Sequence, residues 1–296
     1  MSNVIDQEIA DRFAIYHGDC VEVLRGLPAQ SVDYSVFSPP FASLYTYSNS
    51  PRDMGNVKND EEFFAHFGFL VSELARVMKR GRLVSFHCML MPTSKERDGY
   101  IGLRDFRGDL IRAFQRAGFI HHSEVVIWKD PVTAMQRTKA LGLLHKTVRE
   151  NASMSRQGIP DYVVTMRAPG DTEDRVKHGA DLPVSTWQKY ASPVWMDIDP
   201  SDTLQHRSAR EHDDERHICP LQLEVIRRCV RLWTNPGDVV LSPFAGIGSE
   251  GYVALQEGRR FVGAELKTSY FKQAAANLRE ATNSRQGSLF AEAVAG

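Results

Sequence analysis

Cysteine is scarce in this 296-residue chain, and the four present do not cluster. Cys20, Cys88, Cys219 and Cys229 contain no Cys-x-x-Cys pair, which argues against a zinc knuckle and for free thiols in a reducing compartment. An excess of one charge is also missing, since 36 Lys and Arg stand against 37 Asp and Glu. The chain as a whole therefore carries no electrostatic footprint for nucleic acid, and any basic surface must be local. No apolar run is long enough to span a bilayer, and the opening Met1 to Glu8 has neither a basic nor an apolar leader region. No regular His-x-x-x-His pair with partnering carboxylates accompanies His206, His212 and His217. They read as surface histidines, and no metal is expected. These absences point to a soluble, cytoplasmic protein without membrane or metal. Its 42% hydrophobic content suffices for one large domain with a substantial insertion.

What is present centres on Ser38-Pro39-Pro40-Phe41. The run Ser31 to Phe37 is rich in β-favouring residues and follows a Leu27-Pro28 breaker, so it predicts a buried strand ending at the serine. Two prolines fix φ and push the preceding residues out of helical geometry, leaving a stiff, extended turn at the carboxyl end of that strand. Ligands bind at such ends in open α/β sheets, and Phe41 offers a flat stacking surface. The same four residues also fit a plain strand terminator in a surface loop.

Upstream, Phe13 to Tyr16 predicts a short strand running into His17-Gly18-Asp19-Cys20 and a helix over Val21 to Leu24. Asp19 suits either ligand contact or an ordinary N-cap. Downstream, Ala42 to Asn56 lacks periodicity and reads as a loop over the site. Its Tyr45 and Tyr47 would stack on a base or pack back on the core. Apolar residues at helical spacing predict a helix from Glu61 to Lys79 with Gly81 as its stop. A strand over Arg82 to His87, a helix over Phe106 to Gly118 and a strand over Phe119 to Trp128 continue a β-α-β rhythm, which implies a parallel sheet.

The rhythm then breaks. Lys129 to Pro160 holds Lys129, Arg137, Lys139, His145, Lys146, Arg149 and Arg156 against only Asp130 and Glu150. It is the one strongly basic stretch, either a solvated loop or a surface for phosphates and base edges. Asp161 to Met166 predicts a strand that would pair with Phe119 to Trp128. Arg167 to Arg216, with Trp187, Tyr190 and Trp195, reads as a second irregular excursion serving recognition or a subunit contact. Order returns with a helix over Leu221 to Leu232 and a strand over Asp238 to Leu241. That strand ends in Ser242-Pro243-Phe244-Ala245-Gly246-Ile247-Gly248, where glycines let the backbone approach a ligand. Gly246-x-Gly248-x-x-Gly251 fits the dinucleotide pattern formally, without a phosphate-catching lysine. The next strand ends at Glu265, placed to hold two ribose hydroxyls. A helix over Tyr270 to Arg279 follows, and residues from Ser284 read as a frayed tail.

Taken together these motifs resemble the β group of amino-directed DNA methyltransferases, which move a methyl group from S-adenosylmethionine to an exocyclic nitrogen of adenine or cytosine. Ser38-Pro39-Pro40-Phe41 resembles their catalytic tetrapeptide and precedes a cofactor loop resembling Ser242 to Gly248, with the recognition region between. Four motifs in that order cover almost the whole chain outside that region. The resemblance implies an α/β fold: a circularly permuted, Rossmann-like methyltransferase sheet with an inserted target-recognition region. Residues 1–128 would form the first part of the catalytic domain, 129–216 the DNA-recognition insertion with its strand near 161–166, 217–283 the cofactor-binding part and 284–296 a flexible tail. S-adenosylmethionine would contact Asp19, Cys20, Ser38, Ser242, Pro243, Phe244, Ala245, Gly246, Gly248, Glu265 and Leu266. Double-stranded DNA would meet Tyr45, Tyr47, Lys129, Arg137, Lys139, Lys146, Arg149 and Arg156. A homodimer is expected, inside a restriction-modification pair or as an orphan enzyme. One departure stands out: Ser242 replaces the usual aspartate of the cofactor loop.

The implied chemistry is direct transfer. Ser38 Oγ and the Pro39 carbonyl would accept the amino hydrogens and favour a pyramidal nitrogen, while Phe41 stacks on the flipped base. None of the cysteines has the preceding proline expected of a C5-directed nucleophile. The β order and long insertion favour adenine N6, while a serine before Pro-Pro is common among cytosine-N4 enzymes, the alternative. Methylation of RNA or a protein amide, a non-catalytic DNA-binding module and a nicotinamide-dependent dehydrogenase also fit parts of the pattern. The last leaves the tetrapeptide unexplained.

Overall fold

Val32–Phe37 is buried at every position, the mark of a strand covered on both faces. It is the third strand of a computed structural model that describes residues 4–41, 54, 60–93, 95–138, 143–179, 181–205 and 220–295, apart from the side chains of 60, 97, 137, 138 and 284–295. The elements begin with β1 (Asp6–Ile9), β2 (Phe13–His17), α1 (Cys20–Arg25), β3 (Val32–Phe37), α2 (Asp60–Val77) and β4 (Met78–Met89). Next come β5 (Met91–Pro92), α3 (Lys95–Asp98), β6 (Leu103–Arg104), α4 (Phe106–Arg116), β7 (Ile120–Ile127), α5 (Pro131–Thr138) and α6 (His145–Glu150). The chain continues through β8 (Asp161–Arg167), α7 (Val184–Tyr190), β9 (Val194–Trp195), α8 (Leu223–Trp233), β10 (Val239–Ser242), α9 (Ser249–Gln256), β11 (Arg260–Glu265) and α10 (Thr268–Ala295).

Among the described residues, nine strands form one sheet in the order β1-β2-β11-β10-β3-β4-β8-β7-β9. From β2 to β4 the neighbours are parallel, so five carboxyl ends share one edge. Strand β8 runs antiparallel to both β4 and β7. Late strand β10 lies beside early strand β3, with Val240 opposite Tyr34 and Leu241 opposite Ser35. This is the permuted α/β sheet expected from the motif order.

Alternation along β3 serves two apolar layers. Phe37 packs with Phe63, Phe67, Phe106 and Phe114 of α2 and α4, whereas Tyr34 and Val36 pack with Val225, Val253 and Leu278 of α8, α9 and α10. The phenylalanines at helical spacing in α2 are core, as their period requires.

Several expected boundaries move. Lys79-Arg80-Gly81 does not stop a helix but lies inside β4, which starts directly after α2. Gly81 has φ +66°, and the pairing of β3 with β4 shifts register there, so the glycine makes an irregular strand rather than a cap. The basic stretch 129–160 contains α5 and α6, and the excursion after Arg167 contains α7 and the edge strand β9. Short amphipathic pieces of this kind are stabilised by contacts their own periodicity does not reveal. The final helix extends to Ala295, through the residues read as a frayed tail, because no proline interrupts 268–295. Strand β1 is an addition: four residues pairing antiparallel with β2.

Candidate active site

The tetrapeptide begins one residue beyond β3, at the shared carboxyl edge. Ser38 Oγ lies 3.1 Å from His87 Nδ1 on neighbouring β4. His87 Nε2 in turn lies 3.1 Å from Asp161 Oδ2, at an angle short of a well-aligned hydrogen bond. Lys129 Nζ approaches the same carboxylate oxygen to 2.6 Å. Burial pushes Asp161 up, but His87 and the Lys129 ammonium outweigh it and hold the carboxyl below its ordinary range. Phe41 is half-buried, with its ring edge-on to His87 at 6.4 Å and tilted against Phe106 at 6.3 Å. Two members of the tetrapeptide thus meet one histidine.

Across the β3–β10 seam, Phe37 and Phe244 place their rings 5.7 Å apart, and Ser35 Oγ donates to the Leu241 carbonyl. These contacts hold Ser242-Pro243-Phe244 beside the serine turn. Gly246 and Gly248 adopt φ of +53° and +86°, which a side chain would strain. Gly251, the third glycine, has a packing reason: a Cβ there would lie 2.5 Å from both Phe261 and Leu278. Glu265 Oε2 accepts from Gly246 N and Oε1 from Lys267 N, each at 2.8 Å. The strand-end carboxylate therefore shapes the glycine turn. Ser242 Oγ is fully buried and has no hydrogen-bond partner among the described residues.

At the third turn of this edge, Asp19 Oδ1 accepts from Val21 N and Glu22 N at 2.9 and 3.1 Å, which makes it the N-cap of α1. Gly18 N donates to the Glu265 carbonyl, and His17 Nε2 sits 3.0 Å from the Leu266 carbonyl. Asp19, Cys20, Glu265 and Leu266 therefore belong to one corner. Burial pushes the Cys20 thiol up, with the Asp19 charge adding to it.

The expected DNA contacts divide. Lys129 is engaged with Asp161 inside the site. Lys146 and Arg149 are exposed on α6, Lys146 lying 3.5 Å from Glu150. Arg156 is half-buried and donates to the Gln157 carbonyl. Arg137 falls on α5 but its side chain is not described, and Tyr45, Tyr47 and Lys139 lie outside the described residues, as do Cys219, His206, His212 and His217. The stretch carrying these bases enters β8 at Asp161, antiparallel to β4, so it rises from the edge that holds Ser38.

Sequence reasoning missed three groups. His87 and Asp161 were read only as strand residues, although polar side chains ending or opening buried strands are a usable signal. Glu250, in the first turn of α9, is buried and pushed up to about 8, chiefly by burial and further by Glu265. Among the described residues, no His, Cys, Asp and Glu group has metal-binding geometry, and no helix is long and apolar enough to cross a membrane.

Comparison with known proteins agrees with this geometry. The N6/N4 methyltransferase family model, described as DNA methylase, matches residues 32–276. The chain is 25% identical over 263 residues to the DNA adenine methyltransferase YhdJ of Escherichia coli K12, covering 87% of this chain and 80% of that protein. Among solved structures, a putative DNA modification methylase from Thermus thermophilus in complex with S-adenosyl-L-methionine superposes with a TM-score of 0.67 at 22% identity, over 92% of this chain and 96% of that one. The cytosine-N4-specific PvuII DNA methyltransferase gives 0.67 at 17% identity, over 95% of each chain. A permuted sheet, a Ser-Pro-Pro-Phe turn beside a glycine turn, and a family match spanning both place this chain in the N6/N4 DNA methylase family.

Proposed function

We propose that the protein methylates the exocyclic amino group of a base flipped out of duplex DNA, with adenine N6 as the target. The observation that carries this is the adjacency of β3 and β10, which sets the Ser38 turn next to the Ser242 to Gly248 turn on one sheet edge.

The second turn fits S-adenosylmethionine. Its left-handed glycines leave a cradle without side chains, Glu265 offers acceptors for ribose hydroxyls, and the buried Ser242 hydroxyl has no partner among the described residues. When bound there, S-adenosylmethionine supplies an electrophilic methyl group on a sulfonium. Glu265, Gly246 and Gly248 would hold its nucleoside, with Asp19 and Leu266 at the neighbouring corner and Ser242, Pro243 and Phe244 toward the serine turn. Ser38 Oγ and the Pro39 carbonyl accept hydrogens from the target amine, which localises its lone pair. Phe41 covers one face of the base. Lys146, Arg149 and Arg156, on the connection rising from the same edge, supply local positive charge for phosphates.

Adenine is favoured by the relationship to YhdJ, which extends over most of both chains. The serine in the tetrapeptide supports cytosine N4 as the second reading. Incubation with amplified, unmodified genomic DNA and S-adenosylmethionine, followed by nucleoside mass spectrometry, tests both. N6-methyladenine is expected; N4-methylcytosine instead overturns the base assignment, and no methylated base from a protein that binds the cofactor overturns the activity. We further place the enzyme in the cytoplasm, where the buried thiols Cys20, Cys88 and Cys229 stay reduced. A homodimer is the proposed assembly, to be read from sedimentation equilibrium.

A further inference from the structure

The contacts around Ser38 form a line of polar groups leading away from the site: Ser38 Oγ, His87 Nδ1, His87 Nε2, Asp161 Oδ2 and Lys129 Nζ. We propose that His87 is a positioning residue that makes Ser38 an acceptor toward the base and receives its proton after transfer. This rests on the amino methyltransferase reading above.

The argument starts at the deepest member. Asp161 is almost fully buried, and its Oδ1 has no donor among the described residues. A carboxylate so placed, with one oxygen facing His87 Nε2, favours the imidazole tautomer that carries its proton on that nitrogen. Nδ1 is then left with a lone pair, and it faces Ser38 Oγ at 3.1 Å. The serine hydroxyl must donate to it. Both lone pairs of Ser38 Oγ are thereby left for the amino hydrogens of the base, instead of its O–H competing with them. A serine without such a neighbour is free to rotate and present its hydrogen to the substrate. Lys129 lies against the same Asp161 oxygen and keeps the carboxylate ionised. Phe41, edge-on to His87, limits rotation of the ring.

The same line accounts for the proton that methylation releases. The amine lone pair forms the new N–C bond, and the electron pair of the broken S–CH3 bond stays on sulfur. The methylated nitrogen then carries one proton more than the neutral product. That proton passes to Ser38 Oγ as the serine hydroxyl proton passes to His87 Nδ1. The product is a neutral amine and an imidazolium next to the Asp161 carboxylate, and the imidazolium returns its proton to solvent before the next turnover.

The test combines spectroscopy with a mutant cycle. Long-range proton–nitrogen NMR of the imidazoles in the free protein is expected to show His87 with Nε2 protonated; a proton on Nδ1 overturns the proposal without any activity measurement. His87→Phe keeps an aromatic ring against Phe41 and should lower single-turnover methyl transfer to amplified genomic DNA about 100-fold, with S-adenosylmethionine affinity within about twofold by calorimetry. His87→Asn retains an acceptor near the Nδ1 position and should recover part of that loss, because it orients the hydroxyl without taking up a proton. In a Ser38→Ala background His87→Phe should cost nothing further. Wild-type rates in His87→Phe, or losses that multiply in the double variant, overturn the role of His87. Thermal melts of each variant separate these outcomes from misfolding, and the NMR measurement stands if His87→Phe does not fold. Absence of transfer by the wild-type protein would instead overturn the proposed function.

Discussion

A carboxyl group buried at the start of α9 gives single residues a hold on stability. Glu250 is protonated in the folded chain up to about 8, against an ordinary value of 4.5. Between those values the native state holds one more proton than the unfolded chain, so stability falls as pH rises across the window. The loss is on the order of a few kcal/mol. Glu250→Gln should flatten the profile, and melting temperatures of both proteins from pH 5 to 8, without cofactor, will show whether the slope disappears. The tetrapeptide and Glu265 should separate differently. Ser38→Ala removes the proposed acceptor at the amine and should lower transfer by about two orders of magnitude, far more than cofactor affinity. Glu265→Ala frees Gly246 N and Lys267 N and should weaken S-adenosylmethionine binding about tenfold or more, read by titration calorimetry. Equal losses of affinity in the two variants would merge the roles assigned to them.

Among elements, α9 depends on what it lacks. Gly251 lets the helix settle against Phe261 of β11 and Leu278 of α10, where an added Cβ would sit at 2.5 Å. Gly251→Ala should destabilise the fold by about 1–3 kcal/mol through overpacking, measured as a shift in denaturant midpoint. The excursion after β8 is held by a different device. Buried Arg228 of α8 bonds Asp197 at 2.8 Å and Glu224 at 3.0 Å, and lies over the rings of Tyr190 and Trp195. Its guanidinium, with help from Lys189, holds Asp197 well below the usual carboxylate range. Arg228→Met should loosen β9, seen as faster amide exchange at Trp128, whose N–H donates to the Trp195 carbonyl. Unchanged exchange there would mean that the edge strand is held by its ladder alone. The irregular composition of 167–216 hid this element because its anchor lies on another helix.

At the scale of the whole molecule, the permutation makes the last third of the chain the centre of the sheet. Strands β10 and β11 stand between β2 and β3, and without them those two would face each other across about 14 Å. Asp33 Oδ2 accepts from Val239 N, and Arg82 pairs with Asp238, so buried polar groups join the halves as well as the ladder does. A chain ending at residue 216 should therefore show no cooperative thermal transition by circular dichroism. A sharp transition in that fragment would overturn the dependence of the first half on the second.

Features whose physics is local were legible along the chain. Period and turn residues marked β3, β10 and β11, the prolines marked a rigid end at Ser38, and the glycines marked a tight turn after β10 that Glu265 closes. Their order, through its resemblance to the β group of amino methyltransferases, implied the permuted sheet. Which polar groups those ends would meet was left to the folded molecule. His87 reaches Asp161 because β4 and β8 pair antiparallel at one register, and Lys129 reaches Asp161 because β7 and β8 are neighbours. Register between distant strands is set by the packing of both sheet faces at once, which no window of sequence contains. Ser38-Pro39-Pro40-Phe41 was therefore readable as a stiff turn at a strand end, the candidate for catalysis, while the histidine behind it emerged from the fold.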